Sequence, residues 1–222
     1  MIRLSIAVIV ACFLPAIQSL DGQVQTDPAP RLILRIYNYA DVPADILKRC
    51  ERQMDRIFDR FGVDIARLYC PTSPGHLASK RTCSARLGPN QLVIKLLPAS
   101  MSKRLGFPPD VFGIASPTGD GLPGANISLF FSRVLDLAHY GGIGTGFEDA
   151  QAIILGHITA HEVGHLLLGP NSHSATGLMQ FPWGRKTLQD MERGRLHFTA
   201  RQQSEILDQL RKRPELGPHA DR

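Results

Sequence analysis

The run His161-Glu162-Val163-Gly164-His165 has the residue types and the spacing of a metal site on a helix. Residues four apart lie one above the other on a single helical face, so both imidazoles can be directed at one point. Glu162 falls beside that face, where its carboxylate can hold and deprotonate a metal-bound water rather than ligate the ion. Gly169, His173 and Met179 follow within a short stretch. A plainer reading makes His161 and His165 polar residues of a solvated helix face. The glutamate between them, the glycine beyond and the third histidine favour metal binding.

These residues need a helix to carry them. Ala150, Ile153, Ile154, His157, Ile158, His161, His165 and Leu168 recur at three- and four-residue intervals, which predicts a helix from about Phe147 to Leu168. One face is expected to be apolar at first and metal-binding later. Thr145 and Glu148 fit a capping box at its start, and Gly169 with Pro170 would end it. His157 precedes the glutamate-bearing turn and reads as a core histidine or a support for a ligand. The glycine-rich turn Gly141–Gly146 lacks the Lys-Ser/Thr of a phosphate loop and reads as a flexible connection.

Upstream, Arg31–Tyr37 alternates in the manner of a strand. Asp41 can cap a following helix whose apolar positions run from Ile46 through Cys50 and Met54 to Phe58. Gly62 stops it, and Val63–Tyr69 reads as a second, parallel strand. Gln91–Leu97 is expected as a third strand, with a short one near Val111–Ala115. Asn126–Val134 is expected as a further strand. After the site, Thr199 is expected to cap a C-terminal helix, Ala200–Arg213, with Ile206, Leu207 and Leu210 turned inward.

The run HEVGHLLLGPNSHSATGLM, from His161 to Met179, resembles the metzincin clan of zinc metallopeptidases. Their signature is H-E-x-x-H-x-x-G-x-x-H, followed by a methionine-containing turn under the metal. The resemblance implies an α+β, zincin-like fold: a twisted, mostly parallel sheet with one antiparallel edge strand, an active-site helix and a C-terminal helix. It implies Zn2+ held by His161, His165 and His173, with Glu162 as general base and Met179 in the turn. The implied activity is hydrolysis of peptide bonds in a peptide or protein substrate, with Asn126–Val134 as the edge strand to which an extended substrate would add. The chain departs from the pattern, since Gly169 comes one residue late and His173 two, and the cysteine spacing of archaemetzincins is absent. Glu192 or Glu205 therefore stays open as a third ligand in place of His173. A non-catalytic exported domain with a structural zinc or a vestigial site is the alternative function.

The remaining features bound the setting. The chain has 222 residues, 43% hydrophobic and 20% charged, which suits a single globular domain, placed at residues 31–213. A net charge of +5 without a basic, aromatic-rich face argues against nucleic-acid binding. Arg3 followed by the apolar run Leu4–Ile17 predicts a signal peptide over residues 1–19, too short for a comfortable membrane span of about 20 residues. Residues 20–30 read as a linker and 214–222 as a flexible tail. Export to the periplasm or medium is expected, with lipid anchoring through Cys12 as the alternative and no stable membrane insertion. Cys50 falls on the apolar face of its helix and reads as a buried thiol. Cys70 and Cys83 flank a Pro-, Ser- and Gly-rich loop and are expected as a disulfide, the alternative being two free thiols. With only about ten polar residues between the signal and the first strand, any inhibitor is expected to be a separate protein.

Overall fold

A computed structural model describes residues 29–73, 81–116 and 126–213. The expected signal peptide, most of the linker and the tail lie outside the described residues. The described chain is α+β. Its five strands are β1 (Arg31–Asn38), β2 (Asp64–Cys70), β3 (Gln91–Leu97), β4 (Gly113–Ser116) and β5 (Asn126–Phe130). They form one sheet in the order β2-β1-β3-β5-β4, parallel throughout except that β4 runs antiparallel to β5.

The helices are α1 (Ala44–Phe58), α2 (Arg81–Ser84), α3 (Ala99–Arg104), α4 (Phe131–Tyr140), α5 (Phe147–Leu168), α6 (Arg185–Glu192) and α7 (Ala200–Lys212). The apolar stripe of α1, including Ile46, Cys50 and Met54, is buried against α5 and the sheet. Leu34 and Ile36 of β1 and Ile94 and Leu96 of β3 face the same helices. On the other face of β1, Arg35 is only 4% exposed. Its guanidinium donates to the carbonyl oxygens of Ala85 (2.6 Å) and Arg86 (3.3 Å) and to Gln91, so burial of the charge is matched by acceptors. That network holds the segment behind Cys83, which is joined to Cys70 by a disulfide. Cys50 is a free buried thiol whose pKa burial pushes up to about 12.

The central helix, α5, has the expected bounds but not the expected single buried face. Every residue from Ala150 to Gly164 is buried, because α1, α4, α6, α7 and β4 pack around it. A helix enclosed on all sides cannot show a narrow apolar stripe. Gly156 makes the close approach to α1 possible: a Cβ there would lie 2.7 Å from Gln53 Cβ. The start of α5 is capped without a side chain, at Gly146, so the Thr145–Glu148 capping box does not form. Nor does Asp41 cap α1, whose N-cap is Pro43. The C-terminal helix does carry its expected cap, Thr199, paired reciprocally with Gln202.

One strand is corrected. The expected Asn126–Val134 strand ends at Phe130, and Phe131 begins α4. β5 is also interior, paired on one side with β3 and on the other with β4. The sheet edge nearest α5 is therefore β4, the short strand anticipated near Val111–Ala115. Among the described residues no helix is long and apolar enough to cross a membrane.

Candidate metal centre and its cleft

The last two turns of α5 present His161 and His165 on one face, and the loop after Gly169 brings His173 to them. Gly169 has φ 97°, a left-handed conformation that suits glycine, and it turns the chain back from the helix end. The Nε2 atoms of His165 and His161 are 3.1 Å apart, as are those of His165 and His173. Their candidate ligand atoms all lie within 4.8 Å of one another. Two nitrogens bound to one tetrahedral zinc at about 2.0–2.1 Å would stand roughly 3.3 Å apart, so the trio fits such an ion.

The tautomers agree with that fit. His161 Nδ1 is 2.9 Å from the carbonyl oxygen of Leu178, which can only accept, so Nδ1 carries the proton and Nε2 a free lone pair. His165 Nδ1 lies 3.1 Å from Ser172 Oγ. Burial lowers the pKa of His161 to about 4 and lowers that of His165, so both imidazoles are neutral at pH 7 and need lose no proton to bind a metal. His157 stands apart. It is buried, its Nδ1 donates to Ile153 O at 2.7 Å, and it is a core histidine.

Met179 is fully buried, packed against Gly164 of α5. A Cβ on Gly164 would meet its Sδ at 2.5 Å, so the glycine of HEVGH is the space the methionine occupies. The turn is pinned by Ser174 N to Met179 O (3.0 Å) and Leu178 N to His197 O (2.7 Å). Gln202, beyond its capping role, directs its amide nitrogen to Ser174 Oγ (3.2 Å) and Ser172 O (3.5 Å), on either side of His173.

Glu162 is 7% exposed and sits against β4. Burial pushes its pKa up to about 7, partly offset by a hydrogen bond from the Ala115 backbone N–H. Gly113 makes room for it, since a Cβ there would lie 2.8 Å from Glu162 Cγ. Phe130 N donates to Phe112 O, so by the alternation of an antiparallel pair the main-chain groups of Gly113 and Ala115 face away from β5. They border a cleft of about 620 Å³ whose walls include Val111, Ile114, Ile158, Leu166 and Trp183, with the three histidines and Glu162. Trp183 stacks on Phe112 and meets His161 edge-on.

Neither carboxylate considered as an alternative third ligand joins the histidines. Glu192 lies against Gly144 before α5, and Glu205 faces Arg201 at 3.8 Å on α7. His139 and Tyr140 end α4 beside Phe147, at the opposite end of α5 from the cleft. The residues that sequence reasoning missed are Gly113, Ser172, Phe181 and Gln202. Of these only Gln202 carried a local signal, its place three residues after a capping threonine.

Comparison with known proteins adds little to this geometry. Among solved structures the chain is similar to an archaemetzincin from Methanopyrus kandleri, at 17% identity and a TM-score of 0.48. The match spans 84% of this chain and 99% of that one. No protein-family model matches the sequence, and no curated protein does.

Proposed function

We propose that the protein is an exported zinc-dependent endopeptidase. The observation that supports it most is the meeting of three imidazole nitrogens with a buried carboxylate at the wall of an apolar cleft. Three imidazole nitrogen donors suit zinc, with His161, His165 and His173 holding it. Zinc bound there would polarise a peptide carbonyl and acidify a water.

The chain's own residues do the rest. Glu162 takes a proton from the attacking water onto its carboxylate and returns it to the departing amine nitrogen. A general base works best with a pKa near the working pH, and burial moves Glu162 in that direction. A peptide laid along β4 would pair with the main chain of Gly113 and with the carbonyl of Ala115, whose N–H is held by Glu162, a mode that tolerates many side chains. No lysine or arginine is among the described residues lining the cleft, so nothing there would fix a terminal carboxylate. That favours cleavage within a chain over removal of C-terminal residues.

A non-catalytic zinc domain would have no need of Glu162, whose burial is unfavourable unless the carboxylate is used. Zinc analysis and cleavage of unfolded protein substrates test the reading with wild type, Glu162→Ala and His173→Ala. Wild type and Glu162→Ala should each bind one zinc, and only wild type should cleave. Zinc-loaded wild type that cuts nothing in a broad peptide library would overturn the enzymatic reading. Retention of zinc by His173→Ala would remove that residue from the ligand set. Export is supported by the apolar run Leu4–Ile17 and is consistent with the Cys70–Cys83 disulfide. N-terminal sequencing of the exported protein should begin at Leu20.

A further inference from the structure

The three histidines are not supported alike. His161 is anchored through Nδ1 by the Leu178 carbonyl, and His165 by Ser172 Oγ. Metal-binding histidines almost always have such a partner, because it fixes both the tautomer and the ring's orientation. His173 is the exposed member of the trio and lies on a loop rather than on α5. Among the described residues none hydrogen-bonds its Nδ1. Its neighbour is a ring: Phe181 lies parallel to the imidazole, with centroids 5.3 Å apart and planes 13° from one another.

Phe181 is itself 48% exposed, so core packing does not account for the placement of a large apolar ring there. It follows Met179 by two residues, on a turn fixed by the bonds from Ser174 N to Met179 O and from Leu178 N to His197 O. The ring is thus delivered from a rigid base. On its other side the His173 backbone is flanked by Ser172 and Ser174, both reached by Gln202. With the loop held and one ring face covered, rotation of the imidazole out of line is opposed, and Nε2 stays turned toward His161 and His165.

We propose that Phe181 is a positioning residue for the third ligand, its flat face taking the place of the Nδ1 hydrogen bond that the other two histidines have. This rests on the reading that the trio holds zinc. The test is zinc affinity, measured by competition with a chromogenic chelator, together with the visible absorption spectrum of the cobalt-substituted protein. Phe181→Ala should weaken zinc binding by about ten- to a hundred-fold, the range seen for loss of a ligand's supporting partner. Phe181→Leu, which keeps apolar bulk without a flat ring, should also weaken it and alter the cobalt spectrum. Phe181→Trp should restore both. In a His173→Ala background, where only the weak residual affinity of His161 and His165 is left to measure, Phe181→Ala should have no further effect on it, because its action runs through the missing imidazole.

Wild-type affinity in Phe181→Ala and Phe181→Leu would overturn the proposal. So would an equal loss in the presence and absence of His173, which would mark a general effect on the fold. Absence of zinc binding by the wild type would instead defeat the metal-site reading, and this inference with it. Should Phe181→Ala fail to fold, Phe181→Leu and Phe181→Trp still separate a flat ring from mere bulk.

Discussion

Glu162 shows how a single side chain can serve the site at the expense of the fold. Its carboxyl has an ordinary pKa of 4.5 and is pushed up to about 7 by burial. Between those values the folded chain binds more protons than the unfolded one, so this group's contribution to stability declines as pH rises through that window. Above pH 7 the shift amounts to at most about 3 kcal/mol. Glu162→Gln removes the buried charge and keeps the shape. Metal-free Glu162→Gln should therefore be more stable than the metal-free wild type at pH 8, with the difference vanishing below about pH 4.5, while cleavage is lost. Urea unfolding in chelator at both pH values checks this, and equal midpoints at pH 8 would contradict it. At this scale the sequence was legible where chemistry dictates residue type, at His161, Glu162 and His165. It was silent on Gly113 and Phe181, because each acts on a residue distant in sequence and neither lies in a repeating pattern.

At the scale of elements, α5 could be bounded in advance because its apolar spacing ends abruptly at Gly169 and Pro170. Its surroundings could not. The number of neighbours that enclose a helix is a long-range property, and local periodicity does not encode it. The boundary between β5 and α4 was obscured for a similar reason: Phe130 and Phe131 continue one apolar run across the change from strand to helix. Helix α7 was legible through its cap, and the structure adds a second task to that cap. Thr199→Ala and Gln202→Ala both break the reciprocal bonds between these residues, and each should cost about 1 kcal/mol of stability. Only Gln202→Ala also frees Ser172 and Ser174, so it alone should weaken zinc binding, by roughly ten-fold. Chelator competition on both variants distinguishes the two tasks; equal affinities would confine Gln202 to capping.

Across the whole molecule, the sheet separates the features that stabilise from those proposed to act. The disulfide leaves the end of β2, on one edge, while β4 and the cleft lie at the other, four strand spacings or about 19 Å away. Cys70 and Cys83 are 13 residues apart, and a loop of that length is stabilised by about 3 kcal/mol when closed. Reduction should lower the unfolding free energy by about 2–3 kcal/mol and leave zinc affinity unchanged. Denaturant titration and zinc competition with and without a metal-free phosphine reductant would show both; a parallel loss of affinity would mean that the two edges are coupled.

If substrates pair with β4 as proposed, that edge also has a consequence for what can be cut. Of its four residues, Gly113–Ser116, only Gly113 and Ala115 turn main-chain groups away from β5, at the cleft that His173 also lines. A polypeptide paired with it would lie there as an extended strand, with its own sheet or helix partners released. For a folded target, the free energy of local opening then adds to that of binding, and susceptibility follows how often a segment comes loose rather than its side chains alone. On the proposed reading, selectivity would lie largely in the stability of the substrates.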